Sequence, residues 1–495
     1  MNLANIIEGH AADRVALISR GSETTYGTLR EQVAGARGGL AGLGIDKGHR
    51  VALLIANNSL FVVSYFALLG IGAVVVPLNP TSPAPEIERE LVAVGATAVV
   101  VGPAAVPSWR NVDTAKAPLL RHVIAAEGTL DGAVSLDDLR TAAPIPIVDL
   151  TPDDLAVMIF TSGTAGAPRA AMLSHGNLQA NIDQVIEADM STSADDIIYG
   201  VLPMFHIFGL NVVLGISLAV GATVVLVQRF DPSTALETIR ERHITVVPGA
   251  PPMWIAFSTF DDAPADAFAT VRIASTGAAK MPEEAIRRLQ SRFGLQLAEG
   301  YGLTEASPIV TSSSGIPIRV GSVGKVLDGV QLRIVDDNGD DALDGDAGEI
   351  WVKGPNVFKG YLDDEDATRR VLTRDGWLRT GDIAVTDADG YLYLIDRAKD
   401  LIIVSGFNVY PKEVEDVLID YPGVAEVGVI GVPHPHTGEA VKAFIVAAPG
   451  AHLDEDAIIQ HCLDELARYK CPSKILFVDE LPRNVSGKLL RRALM

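Results

Sequence analysis

Thr161-Ser162-Gly163-Thr164-Ala165-Gly166-Ala167-Pro168-Arg169 follows directly on the apolar run Leu155 to Phe160. Such a run predicts a buried strand, so the segment leaves a sheet edge with two glycines, three hydroxyls and a closing cation. Successive N–H and O–H groups of that kind can converge on one anion, and Arg169 can add a planar charged fork; the inferred target is polyphosphate. By composition alone a solvated Ser/Gly turn describes the segment at least as well. It is not the Gly-x-x-x-x-Gly-Lys-Ser/Thr nucleotide loop, because no Lys-Ser/Thr follows Gly166 and another apolar run, Ala170 to Leu173, precedes any helix.

Upstream, the pattern alternates. Strand candidates Val15–Ile18, Arg50–Ile55, Ala73–Pro77 and Ala96–Val101 are interleaved with helical candidates Thr28–Leu43, Ser59–Leu69 and Pro85–Val94, the rhythm of an α/β fold. Pro103 to Ala117 reads as a surface connection, and Ser174 as the N-cap of a helix His175 to Ala188. Val51 to Pro83 and Ile207 to Val227 carry no charge and are long enough to span a bilayer. The first is broken at Asn57-Asn58-Ser59 and the second at Gly215 and Gly221, so each reads as a buried helix followed by a strand of a doubly wound sheet.

A chain of 495 residues exceeds one ordinary core and predicts at least two domains. Its net charge of −22 argues against a general nucleic-acid binder. Cys462 and Cys471 are its only cysteines, which argues against a disulfide framework or a cysteine-based zinc site. With no signal pattern in Met1 to Arg20, a cytoplasmic location is expected.

Further motifs give the loop its company. In Leu202-Pro203-Met204-Phe205-His206-Ile207-Phe208-Gly209, His206 is either a satisfied core histidine or a donor that positions a carboxylate in an apolar pocket. Gly300-Tyr301-Gly302-Leu303-Thr304-Glu305 is either a tight turn with an exposed acid or a nucleotide site. In the second case the Tyr301 ring lies on a purine between two close-approaching glycines, Thr304 bonds a phosphate, and Glu305 offers Mg²⁺ a hard oxygen. Val320 to Asp396 alternates like a small β-rich subdomain. Within it Asp382, after Thr380-Gly381, suits a ribose diol or a simple Asp turn. From the charge cluster Asp396 to Asp400 onward, a second βαβ rhythm predicts a separate domain hinged near Lys399. His434-Pro435-His436 reads as a surface loop, and the basic end around Lys488 as a solvated tail.

Taken in order, TSGTAGAPR, LPMFHIFG, STGAAK, GYGLTE, GEIWVKG, GWLRTGD, DRAKDLIIVSGFNVYP and PRNVSGK resemble the adenylate-forming superfamily of acyl-CoA synthetases, adenylation domains and luciferases across essentially the whole chain. The resemblance implies an N-terminal α/β domain of doubly wound sheets with a β-rich subdomain over residues 1–396. It also implies a mobile α+β C-terminal lid over 397–495. The implied chemistry is attack of a carboxylate on the α-phosphorus of Mg-ATP, giving acyl-AMP and pyrophosphate, then displacement of AMP by coenzyme A. Ser162, Gly163, Thr164, Gly166 and Arg169 would cradle the β- and γ-phosphates. Tyr301, flanked by Gly300 and Gly302, and the Gly277-Ala278-Ala279 backbone would hold adenine. Thr304 would touch the α-phosphate, Thr161 and Glu305 would serve Mg²⁺, and Asp382 and Arg397 the ribose. Lys488 would bring charge to the α-phosphate and the attacking acid, where it is worth most in the transition state. Lys399 would be the hinge, and Ser405-Gly406-Phe407 would flank the pantetheine tunnel.

The glycine loop departs from the superfamily's Thr-Gly-x-Pro-Lys-Gly, having Ala165 for the Thr and Arg169 for the Lys, which predicts altered ATP affinity or pyrophosphate release. An acyl pocket is expected from His206, Phe208, Gly209, Leu210, Met253, Trp254 and Gly277, with room at the glycines for a medium- to long-chain fatty acid; aryl acids stay open. No Arg or Lys in Leu202 to Leu214 would meet the second carboxylate of a malonate-type acid. The alternatives are a fatty acyl-AMP ligase, against which the uninterrupted Gly348 to Lys399 speaks, and an ATP sensor without turnover. The expected partners are the acid, ATP and coenzyme A, with an acetyltransferase and deacetylase acting on Lys488 and a homodimer admitted.

Overall fold

The computed structural model describes every residue but 129, 162–168, 189–191, 279–280, 337, 344, 398–401, 405–406, 410, 435–437, 467, 485–488 and 495, and only the backbone at 396, 397, 403, 407, 408, 438, 469 and 492. The chain divides into two compact units, 1–320 with 324–331 and 352–378, and 321–323 with 332–351 and 379–495.

The first unit is built on two largely parallel sheets. Among the described residues one has seven strands, with Arg50–Leu54 and Val74–Pro77 at its centre and the antiparallel pair Leu155–Thr161 and Arg169–Ser174 at one edge. The other has nine, in which Val246–Gly249, Ile273–Thr276 and Leu297–Gly302 run parallel side by side. The two uncharged stretches are helix-then-strand units, as their interruptions predict. Asn58 caps the helix Ser59–Ile71 by accepting the N–H groups of Leu60 and Phe61, and Gly72, at φ 77°, stops it. Among the described residues no helix is long and apolar enough to cross a membrane. Ser174 caps His175–Glu187 in a capping box closed by Asn177.

Two local expectations change. Pro103 to Ala117 is mostly exposed, as a surface connection should be, but it is anchored: Ala105 and Trp109 are buried in the core with Val99, Val101 and Leu91, because the short helical turns Pro103–Ala105 and Val106–Trp109 lay those side chains on the sheet. Gly300-Tyr301-Gly302 is not a turn but the end of the strand Leu297–Gly302, paired antiparallel with Ile309–Ser312.

The second unit holds nearly all of a four-stranded antiparallel-edged sheet, Gln331–Val335, Gly348–Lys353, Leu378–Thr386 and Leu392–Arg397. It also holds a sheet in which Val424–His434 and Gly438–Ala447 form a long antiparallel pair. The helices Pro411–Ile419 and Glu455–Glu465 supply Val414, Leu418, Ile458 and Cys462 to that sheet's core.

Candidate active site

The quoted hairpin stands at a sheet edge with Thr161 opposite Arg169. Ser162, Gly163, Thr164 and Gly166 lie outside the described residues. Arg169 is fixed from the far side. A second pairing (Leu362 N–H to Ala170 O and Met172 N–H to Gly360 O, both 2.9 Å) lays residues 359–362 along the strand Arg169–Ser174. Arg169 Nε donates to Asp364 Oδ2 at 2.8 Å, and its guanidinium lies 5.8 Å from the centre of the Tyr361 ring. The Tyr361 hydroxyl donates to Glu305 Oε1 at 2.6 Å. Burial first, and then the Glu305 charge, raises the phenol pKa, so Tyr361 stays a neutral donor.

Glu305 sits on the 3₁₀ turn Thr304–Ala306, which buried amides hold in place. Asn211 Nδ2 donates to Ser307 O at 2.7 Å, Asn356 Nδ2 to Ala306 O at 2.8 Å, and Asn181 exchanges two bonds with the Ile309 backbone. These positioning residues escape the motif reading. The signal that flags them is a polar residue inside an apolar stretch, as Asn211 is within Ile207 to Val227, since a buried amide persists only where it is paired.

Tyr301 is buried, with Gly300 opposite Ser312; a Cβ on Gly302 would overlap Pro308 O. Next to this strand, Gly277 ends Ile273–Thr276, and a Cβ there would lie 3.4 Å from Phe208 Cε1 and 3.5 Å from Gly300 O. The acyl candidate Phe208 and the adenine candidates Gly277 and Gly300 thus share one corner. Ala278 holds φ 72°, a left-handed conformation that costs a non-glycine residue about 1–2 kcal/mol; Ala279 lies outside the described residues. His206 accepts the Phe208 N–H on Nδ1 at 3.3 Å, and burial lowers its pKa. A π-helix, Phe208–Ile216, follows; such wide turns recur at functional sites.

The other pocket candidates fall deeper. Gly209 makes no room: its Cβ would overlap Pro203 O, so the glycine permits the helix to pack on the preceding turn. Leu210 and Trp254 are core residues, Trp254 donating to Ser275 O at 3.0 Å. Met253 and Trp254 fill the space beside Gly249, the neighbour of Thr276 in the sheet.

In the second unit Asp382 is buried, pairs in register with Arg397, and donates its N–H to Thr380 Oγ1 at 3.1 Å. The Arg397 side chain, Lys399, Ser405, Gly406 and Lys488 lie outside the described residues. Phe407 begins the strand Phe407–Val409, opposite Val404. Arg483 bridges Leu489, so the flanks of 485–488 meet.

The family model for AMP-binding enzymes matches residues 4–362, and that for the AMP-binding enzyme C-terminal domain matches 413–488. A feruloyl-CoA synthase of an Amycolatopsis species is 36% identical over 474 residues, 95% of this chain and 93% of that protein. A methyl-dioxo-octahydroindenyl-propanoyl:CoA ligase of Mycobacterium tuberculosis is 37% identical over 498 residues, 96% and 94% of the two chains. The ATP-bound crystal structure of MatB from Rhodopseudomonas palustris superposes with a TM-score of 0.92 at 32% identity, covering 100% of this chain and 98% of that one. The chain belongs to the AMP-binding enzymes, the adenylate-forming superfamily. Within that class it is an AMP-forming ligase that joins a carboxylic acid to coenzyme A with ATP.

Proposed function

We propose that the acid is apolar and compact, an aryl or fused-ring carboxylate, and that the residues named above carry out the two half-reactions in the roles the superfamily assigns. The observation that supports this reading is the corner where the Phe208 ring and the Gly300 carbonyl both approach Gly277. A flat apolar group would rest on Phe208 and point its carboxylate at a nucleotide on the neighbouring strand. Met253 and Trp254 crowd Gly249, and in the proposed pocket they would limit an extended chain. A medium- to long-chain fatty acid is the second reading, favoured by the pliancy of the Met253 thioether, which can swing aside.

Thr161 and Glu305 offer a hydroxyl and a carboxylate, donors that fit Mg²⁺, and the Tyr361 bond engages one Glu305 oxygen and so orients the other. Bound there, the ion would neutralise charge on the triphosphate. The chain's own groups do the rest. Arg169 meets the phosphates, the Tyr301 strand seats the purine, His206 orients the acid, and Asp382 takes the ribose. Lys488 stabilises charge growing on the α-phosphate as the carboxylate attacks. We place the lid at 397–495 with Lys399 as hinge, and the enzyme in the cytoplasm.

A panel from acetate to palmitate, with benzoate, cinnamates, a fused-ring propanoate and malonate, scored for AMP with and without coenzyme A, tests this. The expected result is CoA-dependent AMP release highest with the ring acids. Preference for palmitate or malonate would overturn the substrate class.

A further inference from the structure

Two residues outside every motif of the sequence reading, Asp364 and Tyr361, are joined to the two groups on which the nucleotide reading depends. Asp364 divides its carboxylate: Oδ1 caps the helix Glu365–Val371 by accepting the Ala367 N–H at 2.8 Å, and Oδ2 accepts Arg169 Nε at 2.8 Å. The capping bond fixes the acid, and the acid fixes the edge, and so the plane, of the guanidinium. Tyr361 stands between the pairs, under the Arg169 guanidinium and with its hydroxyl on Glu305. Asp364, Arg169, Tyr361 and Glu305 therefore follow one another from a helix cap to the proposed metal acid through an ion pair, a cation–π approach and a hydrogen bond. Its side chains come from a hairpin strand, from the 304–306 turn and from the segment 358–364, which hydrogen-bonds to both (Phe358 N–H to Glu305 O and Lys359 N–H to Met172 O, each 2.9 Å).

We infer that Asp364 and Tyr361 are positioning residues for the Mg-nucleotide site, Asp364 acting through Arg169 on the phosphates and Tyr361 through Glu305 on the metal; the inference rests on the nucleotide reading above. An arginine can serve here where a lysine could not. A guanidinium holds Asp364 by its Nε edge and remains a planar fork of fixed direction, whereas one ammonium on a flexible stem must turn to either the acid or the phosphate. The linkage thus gives a physical reason for Arg169 at the position where the superfamily pattern described above has Lys. Two opposed effects follow from the Asp364 charge. It pre-orients Arg169, which favours phosphate, and it competes with phosphate, which disfavours it. The capping bond decides between them, since an acid anchored by its other oxygen cannot follow the guanidinium, and orientation prevails.

The test is calorimetric titration of the full chain with ATP in the absence of any acid substrate, with and without Mg²⁺. Asp364→Asn keeps a good helix cap and loses the charge; it is expected to weaken ATP binding roughly fivefold or more under both conditions. Tyr361→Phe is expected to leave metal-free binding unchanged and to raise the Mg²⁺ concentration for half-maximal enhancement roughly tenfold. In an Arg169→Lys background Asp364→Asn is expected to add no further loss, the non-additivity of groups acting through one another. Asp364→Ser, which also caps, stands in if the Asn variant does not keep the wild-type melting temperature. Unchanged or tighter ATP binding by the Asp364 variants, an unchanged Mg²⁺ requirement for Tyr361→Phe, or additivity in the Lys background overturns the inference while the nucleotide reading survives. A wild-type chain that binds no ATP overturns both.

Discussion

The Asn57 carboxamide oxygen accepts the Met204 N–H at 3.0 Å, while its Nδ2 donates to Leu202 O at 2.8 Å and Gly200 O at 3.2 Å. One buried amide just beyond the strand Arg50–Leu54 of one sheet thus holds the turn that presents His206 at the end of the other. Asn57→Ala would strand the Met204 N–H and the Leu202 carbonyl, while Gly200 O keeps the Val227 N–H at 3.0 Å, at a cost of about 2–3 kcal/mol. We expect a lower melting temperature and a KM for the acid that rises more than the KM for ATP, read by steady-state kinetics in each substrate. Equal rises in both would show that the turn does not serve the acid.

Glycines at the site differ in what they exclude, and substitution separates them. A methyl at Gly277 would sit at ordinary van der Waals distance from Phe208 and Gly300, so Gly277→Ala should fold normally and Gly277→Val should shift the acid profile toward smaller members of the panel. Gly302→Ala would drive a methyl into the Pro308 carbonyl and should lower stability by about 2 kcal/mol or more. Thermal melts of all three variants, with the acid panel for Gly277→Val, check this.

His175 makes the fold acid-sensitive. Its ring is fully buried, Nδ1 accepts the Leu3 N–H at 3.1 Å, Nε2 has no partner among the described residues, and burial lowers the pKa from 6.5 to about 4. The unfolded chain therefore binds this proton first as pH falls, and stability is lost between pH 6.5 and about 4, by up to about 3 kcal/mol. Urea unfolding at pH 7, 5.5 and 4.5 should show that slope, and His175→Asn should flatten it.

Lys488→Ala or acetylation of Lys488 should reduce pyrophosphate exchange at least 100-fold, about 2.7 kcal/mol in the adenylation barrier, and leave thioester formation from supplied acyl-AMP within a few-fold of wild type. Normal exchange by the alanine variant would sink its assignment to adenylation.

The α/β rhythm and most element positions could be read from periodicity, because buried parallel strands and capped helices announce themselves locally; Ser174 is the cap its sequence context indicates, and the interruption at Asn58 proves to be another. What could not be read depended on partners remote in the chain. Gly300-Tyr301-Gly302 resembles a turn until Ile309–Ser312 pairs with it, and Trp109 resembles a loop residue until a sheet lies beneath it. Gly209 suggests space and in fact marks close packing, since the occupant is the Pro203 carbonyl rather than a side chain. The Asp364 contact to Arg169 spans 195 positions, and no spacing within either motif hints at it.

The role proposed for His206 depends on the charge its ring carries. With Nδ1 occupied as an acceptor and protonation suppressed by burial, the ring at neutral pH is an uncharged imidazole whose one hydrogen is on Nε2. An imidazolium in that place would draw electron density out of a bound carboxylate and blunt it as a nucleophile. In the role proposed for His206, a neutral ring would aim the oxygen and leave its lone pair for phosphorus, so the burial that keeps the imidazole uncharged would also keep the acid nucleophilic as pH falls.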